Sequence, residues 1–350
     1  MSSPRFYLRV CSLLLATTLG CSRPAEKLFE VSTDASTRTG MFPLQDGVVV
    51  VNEGGFITSV RHDGAVRWRL PLGRELASRP VEARGILVAT SVAGEWFGVD
   101  AASGRMVWQV PRQPVTRGAL LSDGARVYGV LADGGVRAVD AATGAVLWNR
   151  PAPARIGASP LASPILVASG LVVSLGDAGL VSLAWEDGAQ RWRSDSVALG
   201  MTPAADGKRL FVAGRGQRVS ALDAATGAVV WTRAIEADLT TAPTLIQDRL
   251  YVGAGSRLLA LDPATGEPRW LAELDAPVAP VAVQGTTLLV PTSGKEGRLY
   301  LFQPPKTRPY ASVRVDSPLR VAPIAFADRV LVLASDGRVL GYRLTPPTRD

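Results

Sequence analysis

Short apolar runs rich in valine and leucine recur along almost the whole chain, separated by glycine, aspartate or proline. Between residues 242 and 274, four such runs follow one another: Ala242–Gln247, Arg249–Gly253, Arg257–Leu261 and Glu267–Leu274. Runs of this length bounded by turn residues are typical of β-strands. No stretch shows the long 3.6-residue period that helices would require. The pattern therefore predicts an all-β protein built from four-stranded units.

The four-stranded unit repeats about every 40 residues, a period typical of propellers and solenoids. Four copies share a nearly identical turn and a following tryptophan, namely Asp100–Gly104 with Trp108, Asp140–Gly144 with Trp148, Asp223–Gly227 with Trp231 and Asp262–Gly266 with Trp270. Two weaker copies lead to Trp68 and Trp192. An Asp side chain can accept bonds from the next backbone N–H groups, glycine supplies a positive φ, and the tryptophan is expected to pack between sheets. We interpret these residues as parts of the fold.

Candidate first strands number eight: Met41–Leu44, Arg79–Ala83, Ala119–Leu121, Pro164–Ala168, Thr202–Ala205, Ala242–Gln247, Ala279–Val283 and Val321–Phe326. The eighth unit ends after three strands, and Lys27–Thr33 is a spare strand near the other end. We predict that this spare strand pairs with Arg338–Leu344 and closes an eight-bladed β-propeller of four-stranded antiparallel blades, because closure protects sheet edges. Seven blades and an open solenoid are the alternatives.

The N-terminus has the pattern of an export signal. Arg5 and Arg9 precede a short apolar run, and the small residue Gly20 precedes Cys21. This resembles a bacterial lipobox, although Thr18 and Leu19 depart from its usual residues. We predict a signal peptide over residues 1–20, a lipidated tether over 21–26 with the acyl chains on Cys21, and one propeller domain over 27–350. Ordinary signal cleavage nearby is the alternative.

Charge and residue usage narrow the chemistry. The formal net charge is +7, but the arginines are spaced singly, which argues against a nucleic-acid patch and suits solvated outer strands and loops. Both cysteines lie within the first 21 residues, and His62 is the only histidine. The folded part therefore has no thiol nucleophile, disulfide or multi-histidine metal site. We predict no catalytic residues, no metal and no cofactor.

The unit illustrated by Leu250-Tyr-Val252, Ala260-Leu-Asp262 and Thr265-Gly266 resembles the quinoprotein-type propeller repeat. Length, lipobox and repeat number are similar to the BamB-type lipoproteins of outer-membrane β-barrel assembly, and Gly73–Val81 resembles that family's corresponding segment. The resemblance implies a non-catalytic scaffold at the periplasmic face of the outer membrane. It implies one copy in a complex that binds periplasmic domains of a barrel-inserting subunit. Quinoprotein dehydrogenases are also similar, but they are longer and use a vicinal cysteine pair that this chain lacks.

The resemblance places the partner-binding arginine-glycine element on Arg117-Gly118. The next loop of the family is usually acidic, whereas residues 155–164 contain no acid. Connections between units (71–78, 111–118, 149–163, 194–201, 234–241 and 303–318) are expected to share one rim, and binding residues concentrate in such loops. We predict a protein partner at Arg112, Arg117, Gly118, Arg150 and Arg155. A scaffold for another envelope complex, or a binder of a small molecule in the channel, remains an alternative.

Overall fold

Eight antiparallel sheets of four strands each make up the described part of the chain. The structure is a computed structural model that describes residues 24–37, 40–111, 113–151, 164–168, 170–197, 201–214 and 216–345, and for Arg117 and Asp177 it describes the backbone alone. Cys21 and the predicted signal peptide lie outside these residues. Each sheet is one blade, and consecutive strands of a blade pair in chain order. No helix in the described ranges has the length and apolar character needed to cross a bilayer.

The strands of blades 1 to 4 are β2 (Met41–Leu44), β3 (Gly47–Val51), β4 (Phe56–Arg61) and β5 (Val66–Pro71); β6 (Val81–Ala83), β7 (Ile86–Thr90), β8 (Trp96–Asp100) and β9 (Met106–Val110); β10 (Thr116–Ser122), β11 (Arg126–Leu131), β12 (Val136–Asp140) and β13 (Val146–Arg150); and β14 (Ile165–Val167), β15 (Gly170–Ser174), β16 (Leu180–Leu183) and β17 (Gln190–Ser194). A short 3₁₀ turn, Gly176–Ala178, lies between β15 and β16.

The strands of blades 5 to 8 are β18 (Ala204–Ala205), β19 (Arg209–Gly214), β20 (Arg218–Asp223) and β21 (Val229–Ala234); β22 (Thr244–Ile246), β23 (Arg249–Ala254), β24 (Arg257–Leu261) and β25 (Pro268–Glu273); β26 (Ala282–Gln284), β27 (Thr287–Pro291), β28 (Gly297–Phe302) and β29 (Ala311–Val315); and β30 (Ile324–Ala325), β31 (Val330–Leu333) and β32 (Arg338–Leu344), with β1 (Ala25–Ser32) as the outer strand of blade 8.

The hydrophobic core is divided into eight clusters, each between two neighbouring blades. The middle strands face a neighbour on both sides, which explains the almost continuous burial of runs such as Gly47–Val51. One cluster joins Met41 and Val48 of blade 1 to Leu331 and Val339 of blade 8, and so closes the ring. The prediction of a closed eight-bladed propeller is confirmed.

Closure depends on the pairing of the two chain ends within blade 8. β1 runs antiparallel to β32, from Ala25 opposite Leu344 to Ser32 opposite Arg338. The predicted closing pair is therefore confirmed, and Ala25 and Glu26, assigned above to the tether, are part of the strand. Arg338 bonds to Glu30 at 2.9 Å across the same pair.

A tryptophan from the outer strand links each of blades 1 to 6 to the next blade. Its indole N–H donates to the carbonyl of a residue in the next blade's turn between its third and fourth strands, at 2.9 to 3.1 Å. The same ring lies on the glycine of that turn in five cases: a Cβ on Gly227, for instance, would come within 2.6 Å of Trp192. Glycine is therefore required at position 227 for two reasons: the φ of +74° disfavours a side chain, and the indole leaves no room for one.

Phenylalanine replaces tryptophan where the ring closes. Phe29 of β1 covers Gly64, where a Cβ would come within 2.6 Å of the ring. Phenylalanine has no N–H, and the carbonyl of His62 accepts a bond from Arg329 of blade 8 at 3.0 Å instead. His62 is half-buried and its ring lies 5.8 Å from that of Phe326, so it packs in the closing seam.

The aspartates of the repeated turns act as predicted. One carboxylate oxygen of Asp140 accepts bonds from the backbone N–H groups of Ala142 and Thr143 and from the Thr143 hydroxyl, at 2.9 to 3.1 Å. Equivalent bonds hold the pKa of Asp223 below its usual range, the Thr226 side chain being the largest cause. These carboxylates are occupied by the turn they close.

One connection was predicted wrongly. Residues 303–318 were expected to form an interblade loop, but β29 occupies 311–315 and pairs with β28. Residues 303–310 instead join the third and fourth strands of blade 7, and the connection to blade 8 begins at residue 316. Proline and charged residues obscured this outer strand, since it lacks the tryptophan that marks the others.

The tryptophan-glycine contact can be tested within blade 5. Replacing Gly227 with alanine combines backbone strain with a collision against Trp192, and we expect it to lower the free energy of unfolding by about 3 kcal/mol. Gly207→Ala is the matched control, since Gly207 has a φ of +86° but nothing within 4 Å of its Cβ position; strain alone costs about 1 kcal/mol. Chemical denaturation measures both, and equal losses would contradict the packing role of the indole.

Candidate protein-binding rim and central channel

The two rims of the ring carry different connections. One side of the ring bears the connections from the fourth strand of one blade to the first strand of the next, together with the hairpins between second and third strands. We call this side the interblade rim. We call turn rim the opposite side, which bears the repeated Asp-to-Gly turns. Alternating strand directions place the connections in this way. Among the predicted site residues that the structure describes, Arg117 and Gly118 lie in a first strand that starts at the interblade rim, and Arg150 ends a fourth strand beside it.

Arg117 and Gly118 lie in an unusually long first strand. β10 spans seven residues, and its register shifts between Arg117 and Leu121. The start of β10 belongs to the connection from blade 2, and there Thr116 pairs with Leu131. The connection from blade 1 makes the equivalent contact with blade 2, as an isolated bridge between Leu76 and Ser91. Gly118 has a φ of +71° and lines the central channel. The bulge therefore carries the chain from the rim to the channel wall at this point.

Buried polar contacts fix the segment before Arg117. The hydroxyls of Thr116 and Thr90 are 2.6 Å apart and join blades 2 and 3. The backbone N–H of Gln113 donates to the Gly94 carbonyl at 2.8 Å. The side-chain oxygen of Gln113 accepts a bond from Arg137, whose residue surface is only 8% exposed. This part of the rim is thus held in place from below.

Arg137 is a buried arginine that sequence reasoning missed. It lies in β12, and its Nε also donates to the Asn149 side chain at 3.4 Å. Burial lowers the pKa of its guanidinium, while Asp133 opposes that effect. Because a buried cation needs partners, the two amides and the nearby carboxylate account for its position.

Arg150 lies at the outer boundary of blades 3 and 4. Its Nε donates to the Asp187 carbonyl of blade 4 at 3.0 Å. Leu70, Val110 and Ala272 occupy the same place, two residues after the tryptophan, and pack into the cores between their blades. The arginine leaves an apolar groove of about 420 Å³, which Val136, Leu175 and Leu183 help to line.

Of the five predicted site residues, the structure describes Gly118, Arg150 and the backbone of Arg117, and it does not bring Gly118 and Arg150 to the same cavity. Gly118 lines the central channel, whereas Arg150 lines the groove between blades 3 and 4. Arg117 has its backbone in β10, next to Gly118. Arg112 and Arg155 lie outside the described residues. The candidate site is therefore best defined by the anchored segment that leads to Arg117-Gly118, with Arg150 as a second, separate position.

Arginines of the outer strands behave as the sequence predicts. Arg193 and Arg314 are exposed or half-exposed and pair with acids at 2.7 Å. Such pairs contribute little to stability, but they neutralise the edges of the blades. Among the described residues there is no group of three or more His, Cys, Asp or Glu side chains arranged to hold a metal ion.

Fold and site together define a β-propeller of the quinoprotein repeat type with an anchored arginine-glycine segment on its interblade rim. The chain belongs to the PQQ-repeat family described as outer membrane protein assembly factor BamB, whose model matches residues 26–183, 176–281 and 254–345. A BamB protein of Shewanella oneidensis is 24% identical over 235 residues, which cover 63% of this chain. They cover 59% of that relative, so the match spans about three-fifths of its length.

Solved structures agree on the fold. BamB from Moraxella catarrhalis superposes with a TM-score of 0.75 at 17% identity, covering 93% of this chain and 99% of its own. The quinohemoprotein alcohol dehydrogenase of Comamonas testosteroni superposes with a TM-score of 0.74 at 12% identity, covering 93% and 77%. At these identities the likeness concerns the architecture alone.

The groove beside Arg150 yields a stability prediction. Arg150→Leu places an aliphatic side chain where blades 1 and 2 have one, and we expect it to raise the free energy of unfolding by about 1 kcal/mol. Arg191→Leu is the control, because Arg191 precedes Trp192 on the solvent side of its strand. Denaturant titration of both variants measures the effect. A loss of stability in Arg150→Leu would show that the bond to Asp187 matters more than the unfilled groove.

The anchoring role of Arg137 yields a second prediction. Arg137→Met should remove the hydrogen bond that holds the Gln113 side chain. We expect hydrogen exchange of the Gln113 backbone amide to become about tenfold faster, as for the loss of a charged hydrogen bond. The amide of Ile235, which donates to Gln217 at 2.7 Å in the connection between blades 5 and 6, is the internal reference. Hydrogen exchange resolved by residue measures both amides. Unchanged exchange at Gln113 would contradict the anchoring role.

Proposed function

We propose that this chain is a non-catalytic, lipid-anchored scaffold of the outer-membrane β-barrel assembly machinery, which faces the periplasm and binds periplasmic domains of the barrel-inserting subunit. The observation that carries the proposal is the anchored Arg117-Gly118 segment in a chain of the BamB family. The Shewanella oneidensis relative is itself an outer membrane protein assembly factor.

The anchored segment supports binding of a folded partner. A rim held by the Thr90–Thr116 contact and by Arg137 loses little conformational freedom when a partner docks, and such preorganisation favours affinity. Stable interfaces bury roughly 800 Å² on each side. A partner of that size would cover several connections around Arg117. The cationic side chain favours an acidic surface on the partner.

The described start of the chain indicates how a lipid on Cys21 would orient the ring. Ala25 pairs with Leu344 at the turn rim, and the Thr345 N–H donates to the Pro24 carbonyl at 3.0 Å. Only residues 22 and 23 separate Cys21 from that point, so an extended tether would reach about 10 Å. The lipid would hold the turn rim near the bilayer and leave the interblade rim facing the periplasm.

A scaffold role is consistent with the chemistry of the turns that repeat within this chain. The carboxylates that recur most regularly, such as Asp140 and Asp223, accept hydrogen bonds from their own turns. They are therefore poor candidates for acid-base catalysis. The competing proposal, a scaffold for a different envelope complex, shares every one of these features and differs in the partner.

Charge reversal at the rim tests the proposal. Purification of the tagged, membrane-extracted chain should recover an outer-membrane barrel-inserting protein, identified by mass spectrometry. Arg117→Glu should reduce that recovery at least about tenfold, because an interfacial cation would become an anion facing an acidic surface. Lys208→Glu is the matched control, an exposed lysine of blade 5 on the turn rim.

The outcomes separate the alternatives. Equal recovery by Arg117→Glu and wild type would remove the Arg117 segment from the interface. Recovery of a different envelope complex, lost with the same substitution, would keep the rim as a binding surface and overturn the role in barrel assembly.

A further inference from the structure

The central channel contains a cavity of about 950 Å³. That size falls within the range of sites for small molecules. Much of the wall is apolar, with Met41, Leu76, Val321 and Ile324 among the lining residues. The charged residues of the described lining are Arg79, Arg320 and Glu75, so cations outnumber anions.

Arg79 has no partner within the described part of the chain. Its guanidinium takes part in no hydrogen bond or ion pair there, whereas Arg74, five residues earlier, pairs with Glu95. Solvent in the channel reaches the Arg79 side chain, but the enclosing wall is dense enough that burial lowers its pKa, and burial is the one cause of that shift. Glu75, although it lines the same cavity, therefore does not neutralise it.

Residues outside the described ranges offer little compensation. Asp350 is the only Asp or Glu among them, and the only other acidic side chain that the structure leaves undescribed is that of Asp177, in blade 4. The five donors of the Arg79 guanidinium match an oxyanion, and because no protein acceptor of the described residues engages them, they are open to a ligand in the channel.

We infer that the central channel is a binding site for a small organic oxyanion, a carboxylate or a phosphate ester with an apolar body, held by the guanidinium of Arg79. The planar fork of arginine binds either group through two parallel N–H donors. Arg320 adds favourable charge to the cavity, and the apolar wall accommodates the rest of the ligand. This inference is independent of the proposed protein partner.

Fluorine NMR of small probes tests the site on the purified full chain. The probes are 4-fluorobenzoate, 4-fluorophenyl phosphate and the neutral 4-fluorobenzamide, which share an aromatic body and differ in charge. We expect saturable binding of at least one anion, at least about tenfold tighter than the amide, as charged hydrogen bonds imply. The tighter of the two anions identifies carboxylate or phosphate as the group recognised.

Variants of Arg79 locate the binding. Arg79→Met should weaken binding of the anion at least about tenfold and leave the amide unchanged, and Arg79→Lys should recover part of the affinity because it restores the charge. Arg105→Met, an exposed arginine in the turn of the same blade on the opposite rim, is the control and should bind as wild type. If Arg79→Met does not fold, comparing the affinities for anion and amide in the wild type and in Arg79→Lys still tests the inference.

Three results would overturn the inference: no saturable binding of either anion, equal binding of anion and amide, or full binding by Arg79→Met. Co-purification of the protein partner by Arg79→Met serves as a separate readout. Because that recovery depends on the rim, its loss or retention reports on the proposed function, while the NMR titration reports on the channel.

Discussion

The contact between an outer-strand tryptophan and the next blade's turn is the interaction on which the ring depends. Blades in a ring are close at the channel and diverge toward the perimeter, where a gap must be filled. An indole ring is large enough to fill it, and its N–H donates to a carbonyl of the next blade's turn. The glycine beneath makes room for the ring, as Gly227 does for Trp192. Each blade therefore stabilises the next, as in other repeat proteins.

The exceptions to this contact follow from where the chain begins and ends. Blade 8 has no turn between its third and fourth strands, because β32 and β1 are the two ends of the ring-forming chain. Blade 7 thus has no turn to cover, and β29 carries no tryptophan. At the next junction a turn is present, and Phe29 covers its Gly64 while Arg329 donates the hydrogen bond that an indole would supply. At this junction, Phe29 and Arg329 together take the place of the single tryptophan that links each of blades 1 to 6 to the next.

Regular features were predictable from the sequence because they repeat: spacing of tryptophans, Asp-to-Gly turns and the unmatched strand near residue 27 together indicate eight closed blades. Arg137 was missed because its partners Gln113 and Asn149 become neighbours only when blade 3 is assembled. The groove beside Arg150 was missed for a related reason, since a cavity is a property of the residues around it. Arg117 and Gly118 were predicted as site residues by resemblance alone, and their placement on a register shift could not be derived from composition.

Positive charge has two different fates in this molecule, and the difference indicates where function lies. Outer-strand arginines such as Arg193 and Arg314 meet acids at 2.7 Å, so the perimeter is neutralised even though the formal charge of the chain is +7. Arg79 has no such acid in the described residues, and its side chain lines the central channel, where solvent reaches it. The outer-strand cations are therefore already neutralised by acids, whereas the Arg79 guanidinium is open to a ligand in the channel, whose wall meets the rim at Gly118.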